Sequence, residues 1–304
     1  KVKDGIKSIY GDIRDLEKLK SSIINFKPEI VFHLAAQPIV RLSYSNPLHT
    51  YSTNIIGTIN LFEIVRECKS VRSVINITTD KCYENKETLR GYIETDKLGG
   101  SDPYSNSKAC VEMITSSYRE SFFNLEEYSN HRTGIVTVRA GNVIGGGDWS
   151  IDRLIPDFVR SFIKDEIVKI RNPNSVRPWQ HVLDPLNGYI KLTENLTNDA
   201  KKFSGAWNFG PTYNQNKNVV WLMEKINQYW GANKKFIITN EKQLHETKLL
   251  NLNSSKAKKQ INWHSKLSVS DTIKFTVNWY KSFLNHENMV QVTDTQISKF
   301  NEMK

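Results

Sequence analysis

The sequence predicts an α/β chain built on a doubly wound parallel sheet, with a smaller C-terminal lobe. Three observations predict it. Short apolar runs at Ile30-Val31-Phe32, at Val74, Ile75 and Ile77, and at 134–138 have the length and composition of strands buried on both faces. Helically spaced stretches at 16–26, 51–67 and 105–122 alternate with them, as in successive strand–helix–strand units. Polar residues collect where one strand should end: Thr78, Thr79, Asp80 and Lys81 directly follow Ile77. In open α/β sheets ligands bind outside the carboxyl ends of the strands.

In chain order, Ile6 to Tyr10 reads as a strand leading into Gly11-Asp12-Ile13, the third strand of a dinucleotide-binding domain. Such a domain opens with a strand, a glycine-rich turn and a helix whose N-terminus holds a pyrophosphate. No glycine-rich turn precedes Gly11, and Gly145-Gly146-Gly147 comes too late and lacks the spacing. A preceding segment of roughly 50–70 residues is therefore expected. Leu16, Leu19, Ile23 and Ile24 give a helical stripe, stopped by Lys27-Pro28. After the strand at 30–34, Ala35 and Ala36 are small enough to let backbone approach a ligand, and His33 reads as structural. The helix at 51–67 carries Ile55, Ile56, Ile59, Leu61, Phe62 and Ile64, a breadth that suggests burial on two sides. The helix at 105–122 carries Ala109, Val111, Met113, Ile114 and Tyr118. Beyond about residue 150 the regular alternation ends. The expected division is a nucleotide-binding domain at 1–150 and, at 151–304, mainly a substrate lobe, with segments such as 178–200 returning to the first domain. In that second part, 184–196, 219–230 and 269–283 read as helices and 206–210 as a returning strand.

Composition bounds the function. The chain has 304 residues, 38% hydrophobic and 24% charged, which suits a globular chain of one large or two smaller domains. No apolar run approaches the roughly 20 residues of a membrane span, and no signal-peptide pattern opens the chain. Cys68, Cys82 and Cys110 show neither metal-ligand spacing nor a disulfide framework, so a reducing cytoplasm fits best. His245-Glu246 lacks the second histidine of a zinc motif, and no metal is expected. The net charge of +10 is spread over scattered lysines, which reads as a solvated basic surface and not as a nucleic-acid or membrane footprint. A positive field also suits a nucleotide diphosphate sugar.

The chemistry concentrates at Tyr104 and Lys108. Four apart on a helix, they share a face. A Lys108 ammonium there is expected to favour the phenolate and lower the Tyr104 pKa from about 10. A phenol poised to lose a proton beside a sugar hydroxyl is a general base for hydride chemistry. Tyr213 and Lys217 have the same spacing, but in a Gly-Pro-Thr-Tyr-Asn loop with no strand-end threonine upstream.

The combination of Gly-Asp-Ile-Arg-Asp at 11–15, His-Leu-Ala-Ala-Gln at 33–37, Thr-Thr-Asp-Lys-Cys-Tyr at 78–83 and Tyr-Ser-Asn-Ser-Lys at 104–108 resembles the extended short-chain dehydrogenase/reductase family. Arg-Ala-Gly-Asn-Val-Ile-Gly-Gly-Gly-Asp-Trp at 139–149 and Arg-Pro-Trp-Gln-His-Val at 177–182 strengthen the resemblance. It covers the chain from about Ile9 to Tyr280, and within the family the chain resembles the nucleotide-sugar 4,6-dehydratases. The resemblance implies a Rossmann-like sheet and bound NAD. Asp12, Ile13, Leu34, Ala35, Ala36, Asn54, Thr78, Tyr104 and Lys108 are then expected to contact that cofactor. Gln37, Asn142, Arg153, Leu154, Arg171, Arg177, His181 and Glu246 are expected to hold the substrate. Simpler roles stand beside some of these: Asp12 as a helix cap, Trp179 as packing, His181 as a loop-orienting hydrogen bond. The resemblance also implies a homodimer, or a dimer of dimers, in which the helices at 51–67 and 105–122 pair as a four-helix bundle.

It implies a reaction as well. Tyr104 takes the 4-hydroxyl proton of a nucleotide-bound hexose while Thr79 hydrogen-bonds the same oxygen. The 4-ketone then acidifies C5, water leaves across C5 and C6, and hydride returns to C6. Asp80 is placed to protonate the departing hydroxyl. Position 81 is Lys where the better-known dTDP-glucose pattern has Glu. Lys81 either gives up its own proton first, as a buried amine can, or stabilises an enolate. Thr-Asp-Lys-Cys-Tyr resembles the branch acting on CDP-glucose, the expected substrate. The rival expectations are another nucleotide-sugar dehydratase, a 4-epimerase or decarboxylase of the same fold, and an inert nucleotide-binding scaffold.

Overall fold

The computed structural model describes residues 5–88, 90–170, 172–211, 216–231, 236–238 and 250–303. Helix α1 (Leu16–Phe26) starts where the Asp15 side chain accepts from the Lys18 amide, and ends at Lys27 in the left-handed conformation. Strand β1 (Ile30–His33) follows, then helix α2 (Gly57–Glu67), strand β2 (Ser73–Ile77), helix α3 (Pro103–Ser121) and strand β3 (Gly134–Arg139). Asp102 caps α3 by accepting from the Ser105 amide, with Pro103 in its first turn. The second half contains β4 (Val143–Ile144), α4 (Leu154–Ile163), β5 (Val168–Ile170), β6 (Val176–Pro178), β7 (Gln180–His181) and α5 (Leu183–Asn198). It continues with β8 (Gly205–Asn208), β9 (Asn216–Asn218), α6 (Val219–Trp230), β10 (Phe236–Ile238), α7 (Val269–Leu284) and α8 (Met289–Glu302).

The main sheet is parallel, in the order β1-β2-β3-β8. Alternation along each strand divides its side chains between two cores. Val74 and Ile135 point to one face, against Leu61, Phe62, Val65 and Phe123. Ile75, Val136 and Val138 point to the other, against Tyr189, Leu192, Leu196 and Trp207. Helices on both faces make the sheet doubly wound, and β8 returns to it from beyond residue 200. A separate core joins α4, β5, α6 and α7 through Phe158, Ile170, Leu222, Met223, Ile273 and Tyr280.

Two elements depart from expectation. Ile6 to Tyr10 carry no strand. A strand needs a neighbour's ladder, and among the described residues β1 pairs only with β2. The helix expected over 51–67 is interrupted: a short helix at Pro47–Tyr51 runs into a π-helical turn at Ser52–Ile56 before α2 begins. The turn contains Asn54, whose buried amide reaches out of the helix to the backbone of Gln37 and the hydroxyl of Ser107.

Candidate active site

A cavity of about 1070 Å³ opens beyond the carboxyl ends of β2 and β3. Thr78, Thr79, Asp80 and Lys81 line it because β2 ends at Ile77 and a tight turn follows, with the Thr79 hydroxyl capping the Lys81 amide. Tyr104 enters from the first turn of α3, and Asn142 from the turn after β3. Arg153 and Leu154 enter from the start of α4, and Arg177 from β6. Leu34, after β1, completes the expected residues in the wall.

The centre of the wall is polar and buried. Asp80 Oδ1 accepts from the Thr79 hydroxyl at 3.0 Å and from Lys81 Nζ at 3.3 Å. Asp80 Oδ2 is buried with no hydrogen-bond partner among the described residues, and so is Asn142 Nδ2. An orphaned acceptor and an orphaned donor in one wall suit a ligand with hydroxyl and phosphate groups. Gly141 is what allows Asp80 its place: a Cβ there would stand 1.8 Å from Asp80 Oδ2. Arg153 Nη1 holds Asp148 Oδ2 at 2.9 Å. Burial opposes the charged form of Asp148, but hydrogen bonds from Ser150 and the charge of Arg153 keep its carboxyl below the usual range.

The expected tuning of Tyr104 is reversed. Burial pushes its phenol up to about 12, although the Thr79 hydroxyl and the Arg153 charge favour the phenolate. Lys108 lies behind the wall and donates from Nζ to the Ile77 carbonyl at 3.1 Å. Burial pushes Lys108 itself down to about 8, against the opposing charge of Glu112. Sequence spacing places the two side chains on one face, but it does not weigh the loss of solvent, and here that loss outweighs the Thr79 hydroxyl and the Arg153 charge.

Other expected residues lie elsewhere. Gln37 turns inward: its amide bonds Ile39 N, Ile39 O and the Thr50 hydroxyl, which fixes the loop after β1. Asn54 braces the same loop. His181 is buried against Phe275, outside the cavity wall, and burial holds it down at about 4. All three are buried polar residues with partners inside the protein, near in sequence for Gln37 with Ile39 and His181 with Leu183, distant for Asn54 with Ser107. Asp12 is exposed and held by Arg14. Ile13 packs where Gly57 leaves room. Ala35 and Ala36 sit just beyond β1, outside the cavity wall. Arg171, Glu246 and Tyr213 lie outside the described residues. Two wall pairs were missed: Arg41 with Asp152 at 4.0 Å, and Glu84 with Lys97 at 3.4 Å. Neither pair lies in a motif: Arg41 is in a short helix at Val40–Ser45, and Asp152, Glu84 and Lys97 are in loops.

Glu112 was also missed, although its spacing was a signal. It stands one turn beyond Lys108 on α3 and is buried. Its carboxylate accepts from Thr78 Oγ1 at 2.5 Å, Thr137 Oγ1 at 2.7 Å, Arg139 Nε at 2.8 Å and Arg139 Nη2 at 2.7 Å.

A doubly wound parallel sheet, with a Thr–Tyr–Lys group at the carboxyl end of a central strand, defines an extended short-chain dehydrogenase/reductase. More narrowly, the chain belongs to the GDP-mannose 4,6 dehydratase family, whose pattern matches residues 1–276. It is 48% identical over 300 residues to a CDP-glucose 4,6-dehydratase of Salmonella typhimurium, a match covering 99% of this chain and 84% of that protein. It is 23% identical over 301 residues to a CDP-paratose 2-epimerase of Salmonella typhi, covering 90% of this chain and 84% of that protein. Among solved structures, a dTDP-glucose 4,6-dehydratase of Streptomyces venezuelae with NAD and DAU bound matches with a TM-score of 0.78 at 20% identity, covering 94% of this chain and 83% of that one. A UDP-glucose 4-epimerase of Thermotoga maritima with UDP-glucose matches with a TM-score of 0.78 at 23% identity, covering 90% of this chain and 84% of that one. These two structures support the fold.

Proposed function

We propose that this chain dehydrates CDP-glucose to CDP-4-keto-6-deoxyglucose. The observation that carries the reading is the meeting of Thr79, Asp80, Lys81 and Tyr104 in one cavity wall. The 48% identity to a CDP-glucose 4,6-dehydratase supports the same substrate. The residues fit the nicotinamide-ribose half of NAD. Leu34 lines the wall just beyond β1, and Lys108 uses on Ile77 one of the three hydrogen bonds an ammonium can donate. Tyr104, Thr78 and Lys108 would hold that half. NAD, when bound, supplies a ring that takes hydride from C4 and later gives it to C6.

The chain's own groups do the rest. Tyr104 accepts the 4-hydroxyl proton, with the Thr79 hydroxyl bonded to the same oxygen. Its burial disfavours phenolate, so the proton leaves only as the Thr79 hydroxyl, the Arg153 charge and the ligands come to favour the anion. The new ketone acidifies C5. Lys81 stands 34% exposed beside Asp80; it takes the C5 proton only after giving up its own, and as an ammonium it steadies the enolate instead. Asp80 delivers a proton to the departing C6 hydroxyl from a position with no solvent to compete. Arg153 and Arg177 grip the diphosphate as planar forks of donors, and Asn142 donates to a phosphate oxygen. We read residues 1–150 as the NAD-binding lobe and 151–304 mainly as the substrate lobe, with β8 returning to the sheet. We also read the protein as cytoplasmic and dimeric.

The test is to supply CDP-, dTDP-, GDP- and UDP-glucose in parallel with NAD and follow the mass of the sugar nucleotide. Loss of one water, with a carbonyl at C4 and confined to the CDP sugar, is the expected result. A 4-epimer without mass change would overturn it.

A further inference from the structure

Tyr104, Lys108 and Glu112 follow one another at intervals of four along one face of α3. The first lines the cavity and the second lies behind it. The third is bound from outside its own helix. Thr78 comes from the end of β2, and Thr137 and Arg139 come from β3. Arg139 continues the chain of contacts: its Nη1 donates to the Tyr83 hydroxyl at 2.6 Å and to the Glu94 carbonyl at 3.0 Å. Tyr83 in turn donates to Asn208 of β8 at 2.8 Å. One carboxylate thus joins the helix carrying Tyr104 and Lys108 to the strand end carrying Thr79 and Asp80, and to a cavity wall that includes Tyr83.

We propose that Glu112 is a positioning residue of this active site: it fixes α3 against the ends of β2 and β3, and its negative charge keeps the Lys108 ammonium protonated. The inference rests on the reading of Lys108 as a cofactor-holding cation. Burial works against a charged Glu112, but the Arg139 guanidinium and the Thr78 and Thr137 hydroxyls prevail and hold its carboxyl below the usual range. Among the described residues, the titratable groups facing Lys108 are few. Glu112 lies on its own helix, the Cys82 thiol on the turn after β2, and His33 on β1. Burial holds Cys82 in its neutral thiol form and His33 as neutral imidazole. Glu112 is therefore the fixed charge that opposes the desolvation of Lys108. Glu112 in turn interacts with the charges of Arg139 and Arg119.

The charge is tested without substrate or cofactor by NMR titration of protein labelled at the lysine side-chain carbons, with Lys108→Met identifying the signal. In Glu112→Gln the Lys108 midpoint should fall by about 1 unit or more. That variant leaves Arg139 buried without its counter-ion and risks unfolding. Glu112→Gln combined with Arg139→Gln removes both charges and leaves two neutral amides in place of the buried ion pair, and it should show a fall in the same direction. A native midpoint in whichever of the two is folded overturns the inference. The positioning is tested by Glu112→Asp, which keeps the charge and shortens the reach. Its midpoint should stay near the native one while kcat falls and the KM for the sugar nucleotide changes little; native kcat would overturn that part. In Glu112→Gln, or in the double variant if only that folds, the alkaline limb of kcat should move with the midpoint. Movement of the midpoint with a stationary limb would uphold the charge effect of Glu112 and count instead against the catalytic reading of Lys108.

Discussion

At the scale of the residue, one oxygen separates Tyr104 from its phenylalanine variant. Tyr104→Phe should reduce sugar oxidation by about 10²–10⁴-fold, the usual cost of losing a general base, while binding of the sugar nucleotide persists. Near-native turnover in a steady-state assay would remove Tyr104 from the role. Lys108 sets a pH limit. Its ammonium, pushed down to about 8 by burial, is charged below that value and neutral above it. The rate should therefore fall as pH rises through about 8, measured as initial velocity across buffers of constant ionic strength. Asp80 and Lys81 separate dehydration from epimerisation. Asp80→Asn has no proton to give, yet Tyr104 and Thr79 are untouched. Oxidation at C4 should continue while elimination slows, so near-ultraviolet absorbance of reduced cofactor should build up after mixing. Lys81→Met should stall at the same stage, with less exchange of the C5 hydrogen for solvent deuterium. Normal turnover of both variants would overturn the assignment.

At the scale of the element, the turn after β3 supports the turn after β2. Asp80 N donates to the Ala140 carbonyl, and the missing side chain of Gly141 makes room for the Asp80 carboxylate. Gly141→Ala should therefore displace Asp80, cost about 1–3 kcal/mol as an overpacked site does, and depress elimination more than substrate binding. Gly11→Ala is a suitable control, because its Cβ would meet only the flexible Lys18 side chain, at 3.4 Å. Thermal melts and turnover measured together separate the two variants; equal behaviour would count against the proposed contact. A second turn shows the same logic. Gly146 lies so close to the Trp279 indole of α7 that a Cβ would stand 2.1 Å from its ring. Tyr280 of the same helix donates to the Asp148 carbonyl at 2.6 Å. The loop that holds Asp148 for Arg153 is thus shaped by a helix more than a hundred residues later.

At the scale of the molecule, most apolar side chains of α2 are spent inside the protomer: Leu61, Phe62, Ile64 and Val65 are buried. Ile56 just before α2 and Met113 on α3 remain about half exposed, at 47% and 54%. If these helices meet their copies in a second subunit, Met113→Glu combined with Ile56→Glu should convert a dimeric mass to a monomeric one. Light scattering at micromolar concentration reads the difference, and a native protein already monomeric would dispose of the interface.

The sequence by itself determined the alternation of β1, β2 and β3 with their helices, though not the strand expected at Ile6 to Tyr10 or the helix at Met289–Glu302. It also located the cavity and the residues at the end of β2 that line it. Those properties depend on periodicity, on caps such as Asp102 before Pro103, and on where an apolar run stops, all of which are local along the chain. Only the tertiary structure decided which polar residues face the cavity and which brace it. Gln37 and Asn54 pair with each other and Asn54 with Ser107 of α3, His181 is sealed against Phe275, and Glu112 gathers donors from β3 and from Thr78 at the end of β2. The direction of the Tyr104 shift was equally out of reach of the sequence. Spacing brings a lysine to the same helical face, but ionisation is governed by the solvent lost and by charges arriving from other segments, and those exist only once the chain has packed.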